Sequence, residues 1–298
     1  MSGARPPRPA AGSSHPSRTA SPAAAVPGEP LLEVRGVTFG YDGEPALEDV
    51  DLTVRRGDFL AVLGPNGGGK TTLLKLLLGL VEPWRGEVVR HLPPRRGALG
   101  YVPQFAAFDR QFPVRVREVV EMGRLGLRRP PRRLRDEDRA AARRAMERLG
   151  LAEVAERPIG DLSGGQLQRT LIARAIAGEP EVLLLDEPLA SVDAEFRGTL
   201  VETLEELHRE LTIVVVTHDL TPFAPAVRQI ACINRRLHYH PEGKLTAGML
   251  EEVYGCPVEL IAHGVPHRVL AAHDGLGDEL RGHLHDHDHD HDHGPGGA

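Results

Sequence analysis

Short, continuous apolar runs alternate with stretches of helical periodicity along most of this chain. The apolar runs occupy residues 59–63, 182–185 and 213–216, and such runs are typical of strands covered on both faces. Residues 73–78 carry leucines at helical spacing before a glycine, and residues 194–210 form a second helical stretch. Strand, helix, strand in this order predicts an α/β fold with a parallel sheet and right-handed crossovers.

The segments around this core have weaker patterns. Residues 31–34 and 37–39 predict strands, and residues 49–54 alternate polar and apolar side chains as a half-buried strand does. Beyond Arg236 the pattern predicts hairpin-like pieces and a short helix near residues 249–254.

A change of composition marks residues 114–148. This stretch contains twelve arginines and six acidic residues, with Pro130-Pro131 in its middle. We interpret it as a small helical insertion with a solvated basic loop, because a run of charge is usually a solvated face. Contact of these arginines with a membrane surface is the alternative.

Composition limits the functions open to the chain. The formal net charge is −6, and four aspartates near the C-terminus contribute −4 of it, so the rest is nearly neutral and does not favour nucleic acid. Cys232 and Cys256 form no CxxC pair, which fits a reducing compartment. No apolar run approaches the roughly 18 residues that a membrane-spanning helix needs, and no signal peptide is evident, so we expect a cytoplasmic protein.

A glycine-rich segment links the first buried strand to the first helix. The segment Gly64-Pro65-Asn66-Gly67-Gly68-Gly69-Lys70-Thr71 matches G-x-x-x-x-G-K-[ST] in the context that this phosphate-binding loop requires. Its amides and the helix N-terminus favour phosphate oxygens, Lys70 neutralises phosphate charge and Thr71 binds Mg²⁺. The alternative is a glycine-rich turn before an ordinary helix.

Two acids end the second buried strand. Asp186 is the expected Mg²⁺ carboxylate, and Glu187, one residue later, is expected to orient or deprotonate the attacking water. The alternative is that these acids cap the next helix, but Asp193 fits the N-cap position better.

Further short motifs accompany the loop and the acid pair in a fixed order. They are Lys70-Thr71-Thr72, Gln104, Leu162-Ser163-Gly164-Gly165-Gln166, Asp186-Glu187, Ser191-Val192-Asp193 and His218. From about residue 31 to 235 this ordered set resembles the ATP-binding subunit of an ATP-binding cassette (ABC) transporter. The resemblance implies a P-loop NTPase fold of the α/β class, with a mostly parallel core sheet, an antiparallel β subdomain and a helical subdomain that carries the Leu162–Gln166 signature.

The resemblance also implies roles for individual residues. Tyr41 corresponds to the aromatic residue that stacks on adenine, and His218 to the residue that contacts the γ-phosphate. Gln104 reaches Mg²⁺ and the attacking water. The implied catalytic residues are Glu187, His218 and Gln104, and the implied Mg²⁺ ligands are Thr71, Gln104 and Asp186. The implied ATP-binding set is Tyr41, Gly64, Pro65, Asn66, Gly67, Gly68, Gly69, Lys70, Thr71 and Thr72.

The signature implies a dimer. In the family, residues matching Leu162, Ser163, Gly164, Gly165 and Gln166 contact the ATP held by a second copy of the chain, and a loop matching Ser191 and Asp193 lies at the dimer seam. Residues 105–123 would dock on integral membrane permease subunits, which in turn receive cargo from an extracytoplasmic metal-binding protein. These expectations place the chain at the cytoplasmic face of the membrane as a peripheral subunit.

Composition and resemblance together divide the chain. Residues 1–30 are rich in Pro, Ala, Ser and Arg and are predicted to be disordered. Residues 31–255 are the predicted ATPase domain, with its helical subdomain at about 105–165. Residues 256–282 are a C-terminal extension, and residues 283–298 are a predicted disordered tail.

That tail and one internal segment suggest a cargo. Histidines alternate along the tail, and imidazole is a common ligand of zinc and other transition metals. Residues 109–113 and 118–124, with Gly67-Gly68-Gly69, look similar to the zinc and manganese branch of the importers. We expect zinc before manganese, and Zn²⁺ on the tail, although a solubilising tail or a purification tag are alternatives. The tail histidines are His283, His285, His287, His289, His291 and His293.

Several alternatives remain open. A ligand set of Cys256, Glu259, His263 and His267 is disfavoured because prolines interrupt any helix that would align it. Other hypotheses are the ATPase subunit of an iron-chelate or vitamin B12 importer, a soluble cassette protein that does not transport, and a metal-binding chaperone with a vestigial nucleotide site.

Overall fold

The computed structural model describes residues 28–104, 113–127, 133–190, 192–240, 258–263 and 265–270. The strands are β1 (Pro30–Tyr41), β2 (Glu44–Arg55), β3 (Phe59–Leu63), β4 (Arg85–Arg90), β5 (Leu99–Val102), β6 (Val182–Asp186), β7 (Thr212–Thr217), β8 (Gln229–Asn234), β9 (Arg236–His240), β10 (Val258–His263) and β11 (Val265–Leu270). The α-helices are α1 (Lys70–Leu78), α2 (Val116–Leu125), α3 (Asp136–Arg148), α4 (Gly164–Ile176) and α5 (Ala194–His208).

A six-stranded sheet forms the centre of the molecule in the order β5-β6-β7-β3-β8-β9. All neighbours are parallel except β8 and β9, which are antiparallel. Every residue of β3, β6 and β7 is buried, as their continuous apolar runs predict. Leu63 lies level with Thr217, and Asp186 with Val216, so the loops that follow these strands meet at one edge of the sheet.

A separate antiparallel sheet has the order β2-β1-β4 and covers one face of the core together with α1. Residues 31–34 and 37–39 were predicted as two strands, but both belong to the twelve-residue β1. The pairing with β2 shifts register between Val34 and Val37, where Gly36 has a φ of 54°. A bulge therefore breaks the alternation of side chains without ending the strand.

The opposite face of the core packs against α2, α3, α4 and α5 in a second hydrophobic cluster. The helices α2 and α3 confirm the predicted helical insertion. Buried charges attach α2 to its neighbours, since Arg124 Nε lies 3.1 Å from Asp138 Oδ1 and Arg124 Nη1 donates to the Ala177 carbonyl at 2.9 Å. The carboxylate of Asp138 is fully buried.

The C-terminal part includes the predicted hairpin, formed by β10 and β11. The predicted helix near 249–254, residues 1–27 of the predicted N-terminal extension and all six tail histidines lie outside the described residues. Across the described ranges, no helix is both long and apolar enough to span a bilayer. The fold class is confirmed, and the domain boundaries stay predictions.

Candidate nucleotide site

The glycine-rich loop connects the end of β3 to the start of α1 and is shaped by close backbone contacts. A side chain on Gly64 would collide with the carbonyl oxygen of Ile233 in β8. Gly69 occupies the N-cap of α1 with a φ of 98°, a left-handed conformation that favours glycine. The first-turn amides have no partner within the helix, as at any helix start, and since no side chain caps them they suit an anion.

The Lys70 ammonium lies inside the loop. Its Nζ donates to the carbonyls of Gly64 at 2.8 Å and Pro65 at 3.0 Å, and it lies 3.9 Å from Glu187 Oε1. Burial lowers the pKa of Lys70, whereas the carboxylates of Glu187 and Asp186 act in the opposite direction. A cation surrounded by backbone carbonyls and two acids is well placed to exchange some of these partners for phosphate oxygens.

Thr71 and Asp186 bring two hard oxygen donors together. Thr71 Oγ1 donates to Asp186 Oδ2 at 3.1 Å, although the residues are 115 positions apart in the chain. Burial raises the pKa of Asp186, and the Thr71 hydroxyl and the nearby lysines partly offset this effect. A hydroxyl and a carboxylate beside a phosphate-binding loop are the donor set that Mg²⁺ prefers, so the residues fit this ion.

Glu187 is held in an unusual backbone conformation. Its φ is 47°, its amide donates to the Val216 carbonyl at 2.9 Å, and its side chain is almost fully buried. His218 Nδ1 lies 2.9 Å from Glu187 Oε2, and because an ionised carboxylate only accepts, the imidazole donates. Left-handed backbone at a residue other than glycine costs about 1 kcal/mol or more, and such strain is often found at functional sites.

These elements surround one cavity of about 370 Å³, a volume typical of small-ligand sites. The structure therefore brings together most of the residues that the sequence predicted for ATP and Mg²⁺. The cavity is lined by Tyr41, Ala46, Pro65, Asn66, Gly67, Gly69, Lys70, Thr71, Thr72, Gln104, Asp186 and Glu187.

Three predicted residues lie beside this cavity instead of lining it. Gly64 and Gly68 face the end of β8, where Arg235 N donates to the Gly68 carbonyl at 3.1 Å. His218 lines a neighbouring cavity of about 170 Å³ that also touches Glu187. Sequence reasoning missed Ala46, because an isolated alanine in β2 carries no signal.

The predicted adenine platform stands at the rim. Tyr41 is 44% exposed and packs edge-to-face on Phe39, with ring centroids 5.2 Å apart and an interplanar angle of 85°. An exposed aromatic face next to a phosphate-binding loop suits a flat heterocyclic base.

The signature lies at the start of α4 and contributes nothing to the lining of the 370 Å³ cavity. Ser163 is the N-cap, its hydroxyl accepts the Gln166 amide at 3.2 Å, and the Gln166 side chain accepts the Ser163 amide at 3.1 Å. Asp193 occupies the N-cap position of α5 as predicted, but its side chain makes no capping hydrogen bond. Ser191 lies outside the described residues.

The predicted transition-metal sites are not covered by the structure. Cys256 of the disfavoured ligand set and the tail histidines lie outside it, and Glu259, His263 and His267 are described by their strands alone. Residues 105–112, the first part of the predicted docking segment, also lie outside the described residues. Where side chains are described, no cluster of three or more His, Cys, Asp or Glu residues has the geometry of a metal site.

A buried parallel strand, a glycine-rich loop closed by Lys70-Thr71, and a strand-end Asp186-Glu187 pair define a P-loop nucleoside triphosphatase. Within that class, the chain belongs to the family of ATP-binding subunits of ABC transporters. The family's sequence profile, described as ABC transporter, matches residues 47–190.

Similar proteins support this assignment. A zinc uptake system ATP-binding protein of Listeria innocua is 38% identical over 215 residues, covering 70% of this chain and 84% of that protein. A zinc import ATP-binding protein of Pseudomonas putida is 36% identical over 246 residues, covering 81% and 87%.

Solved structures agree. A chain of a proposed metal-chelate type ABC transporter in an inward-facing conformation superposes with a TM-score of 0.73 at 30% identity, covering 82% of this chain and 98% of that chain. A bacterial ABC transporter cassette solved as a dimer gives a TM-score of 0.60 at 27% identity, covering 72% and 100%.

Proposed function

We propose that this chain is the ATP-hydrolysing subunit of an importer for zinc. The observation that carries the proposal is the convergence of Lys70, Thr71, Asp186 and Glu187 on one cavity. Each of these side chains has a distinct task in phosphoryl transfer to water, and a vestigial site would not need all four in place.

ATP binding would use the loop and the rim. The amides at the start of α1 and the Lys70 ammonium would hold the phosphates, and Tyr41 would receive the adenine. Thr71, Asp186 and Gln104 are the residues that would hold Mg²⁺, which when bound neutralises phosphate charge. The positive end of the helix and the cation thus face the anionic end of the ligand.

Hydrolysis would depend on Glu187. Its carboxylate would orient a water and accept its proton as the water oxygen bonds to the γ-phosphorus and the bond to ADP breaks. His218 donates to this carboxylate and would keep it directed at the water. Gln104 lines the same cavity and would also contact the water.

The signature at the start of α4 would complete the site of a second copy of the chain. Ser163 is exposed and the signature does not line the chain's own nucleotide cavity, which supports a head-to-tail dimer with two shared sites. The loop that contains Ser191 and Asp193 would lie at the seam.

Closing and opening of this dimer would drive permease subunits in the membrane, with residues 105–123 as the docking segment. The chain would then be a peripheral protein at the cytoplasmic face, supplied with cargo by an extracytoplasmic binding protein through the permease. Placement of the subunit at a membrane rests on its family, whose members energise transport.

Zinc is the cargo that the similar proteins favour, since relatives at 38% and 36% identity are named for zinc uptake or import. The six tail histidines would bind Zn²⁺ as a weak collecting or sensing segment. Deleting residues 283–293 should change how uptake responds to zinc concentration, and an unchanged response would exclude this role.

The ATPase assignment is tested with the purified chain. Replacing the catalytic carboxylate in Glu187→Gln should reduce ATP turnover by about 10² to 10⁴-fold, because the general base is lost, while ATP affinity is retained. The exposed α5 variant Glu206→Gln is the matched control and should behave as wild type. An equal loss of ATP affinity in Glu187→Gln would contradict the assignment of Glu187.

The cargo is tested in cells that lack this protein. Elemental analysis after growth under zinc or manganese limitation should show a selective zinc deficit, restored by the wild-type gene but not by Glu187→Gln. A manganese or iron deficit with normal zinc would exclude the zinc proposal while leaving the ATPase assignment intact.

A further inference from the structure

A lysine that none of the predicted roles includes lies beside the adenine platform. Lys75 belongs to α1, and its Nζ lies 5.5 Å from the centre of the Tyr41 ring and 3.5 Å from the Tyr41 hydroxyl. Thr71 and Lys75 are four residues apart and share a face of the helix. The helix that binds phosphate therefore also presents a cation to the aromatic ring.

Tyr41 needs such support. It is the last residue of β1, and 44% of its surface is exposed. Phe39 contacts one part of the ring edge-to-face, and Trp84 lies behind Phe39 at a centroid distance of 5.9 Å. A side chain that must be immobilised when a ligand binds weakens that binding, so contacts that hold the ring in advance increase affinity.

We infer that Lys75 is a positioning residue for adenine recognition, acting through the Tyr41 ring. The attraction between its ammonium and the ring, added to the Phe39 contact, holds Tyr41 in the orientation that receives the base. The inference deepens the proposed ATP-binding function and rests on it.

A purely local role is the competing explanation, since Lys75 lies in the last turn of α1, where a cation stabilises the helix dipole.

The experiment compares a ligand that has a base with one that has none. Affinities for Mg·ATP and for Mg·tripolyphosphate are measured by calorimetry with the full-length chain and its variants. Lys75→Met keeps the aliphatic stem and removes the charge, and should weaken ATP about two- to fivefold without changing tripolyphosphate affinity. Lys75→Arg keeps a cation near the ring and should therefore bind ATP more tightly than Lys75→Met does, with an affinity close to that of the wild type.

Two Tyr41 variants show how much Tyr41 itself contributes to ATP affinity. Tyr41→Ala should weaken ATP about tenfold and leave tripolyphosphate unaffected, because only base stacking is lost. Tyr41→Phe keeps the ring but removes the hydroxyl that lies 3.5 Å from Lys75 Nζ, so it should weaken ATP less than Tyr41→Ala does. In the Tyr41→Ala background, the additional Lys75→Met change should have no further effect on ATP, since Lys75 acts through the ring.

The outcomes separate the alternatives. Equal weakening of ATP and tripolyphosphate by Lys75→Met would overturn the inference, because Lys75 would then act on the phosphates or on the stability of α1. Unchanged ATP affinity in Lys75→Met would also overturn it. Failure of the wild-type chain to bind ATP would overturn the proposed function, and this inference with it.

Discussion

Two helices of this molecule begin with glycine-rich sequences, and their N-termini differ in how they are completed. Gly69 precedes α1 without any side-chain cap, and the start of the helix opens into a cavity of about 370 Å³. Ser163 and Gln166 cap α4 reciprocally, and Ser163 is exposed at the surface. The first turn of α1 therefore opens to a possible ligand, whereas the first turn of α4 is capped by its own side chains.

This difference between the two helix N-termini separates ATP binding from ATP hydrolysis. The N-terminus of α1 has a buried cation, a Mg²⁺ donor pair and an aromatic rim within one chain, so a single chain should bind ATP. The N-terminus of α4 does not line the nucleotide cavity, although the exposed Phe196 lies beside Gly165, and its amides become useful only against a ligand held elsewhere. Under the proposed dimer, hydrolysis therefore requires the α1 of one copy and the α4 of the other.

Mixing two inactive variants tests this division and should give the largest effect. Lys70→Ala disables the α1 half and Ser163→Ala the α4 half, and each should reduce ATP turnover by about 10²-fold or more. In a mixture, the heterodimer contains one site built from two intact halves. With independent sites, turnover should recover to about a quarter of the wild-type value, because half of the dimers are mixed and each has one working site.

Binding measurements serve as the control for this experiment. The Ser163→Ala chain should bind ATP as wild type does and lose only about 1 kcal/mol of stability through its helix cap. Turnover in the mixture no higher than the average of the two single variants would contradict shared sites.

The two helices also differ in how they are anchored. An arginine bonds the C-terminal end of each helix, but only one of them is part of a buried ion pair. Arg90 donates to the Leu77 carbonyl of α1 at 2.8 Å, whereas Arg124 donates to the Ala177 carbonyl after α4 and also pairs with the buried Asp138. Arg124→Met removes this cation from beside the fully buried Asp138 carboxylate, and we expect a loss of about 3 kcal/mol in the free energy of unfolding. Chemical denaturation measures the change.

A matched control is Arg139→Met in α3, since Arg139 is exposed and pairs with the exposed Asp136. The free energy of unfolding of Arg139→Met should differ from that of the wild type by no more than about 0.5 kcal/mol. A similar small cost for Arg124→Met would show that the anchoring of α4 does not depend on the buried ion pair.

The smallest expected effect is on how thermal stability depends on pH, and it involves only the nucleotide cavity at the start of α1. Burial raises the pKa of Asp186 above that of the unfolded chain, so the folded state binds this proton more tightly. The resulting stabilisation is fully present below the unfolded pKa of about 3.9 and is lost as pH rises through the raised pKa. At pH 7 without Mg²⁺, Asp186→Asn should therefore raise the Tm by a few degrees.

Thermal unfolding of both proteins from pH 3 to pH 8 tests this expectation. The advantage of Asp186→Asn should shrink as the pH falls and Asp186 becomes protonated. Addition of Mg·ATP should reverse the order at pH 7, because the Asp186 carboxylate binds Mg²⁺ more tightly than the amide oxygen of an asparagine does. A pH-independent difference between the two proteins would show that ionisation of Asp186 is not its cause.

Much of the core could be predicted because its signals are local. The strands β3, β6 and β7 are continuous apolar runs, and the bounds of β3 agree with the prediction. The prediction for β1 was wrong in treating it as two strands, because the bulge at Gly36 shifts the alternation of side chains in a way that resembles a strand end. Asp193 was correctly placed at a helix start, but its residue type did not reveal whether its carboxylate makes a capping hydrogen bond.

Contacts between distant segments were harder to predict. Tyr41 and Lys75 are 34 positions apart, and their pairing depends on how the antiparallel sheet packs on α1. Ala46 lines the cavity for the same reason. The Glu187–His218 contact arises because β6 and β7 are neighbours whose ends lie level.

The sequence by itself determined which side chains are available for chemistry and on which local element each one lies, because apolar period, glycine and helix-start signals act over a few residues. Tertiary structure alone decided which of them meet. Strand order in the core sheet is not chain order, and it brings Thr71 to Asp186 across 115 positions while leaving Ser163 exposed and outside the lining of the cavity. Long-range packing therefore separates a site that one chain can fill from a half-site proposed to need a second copy.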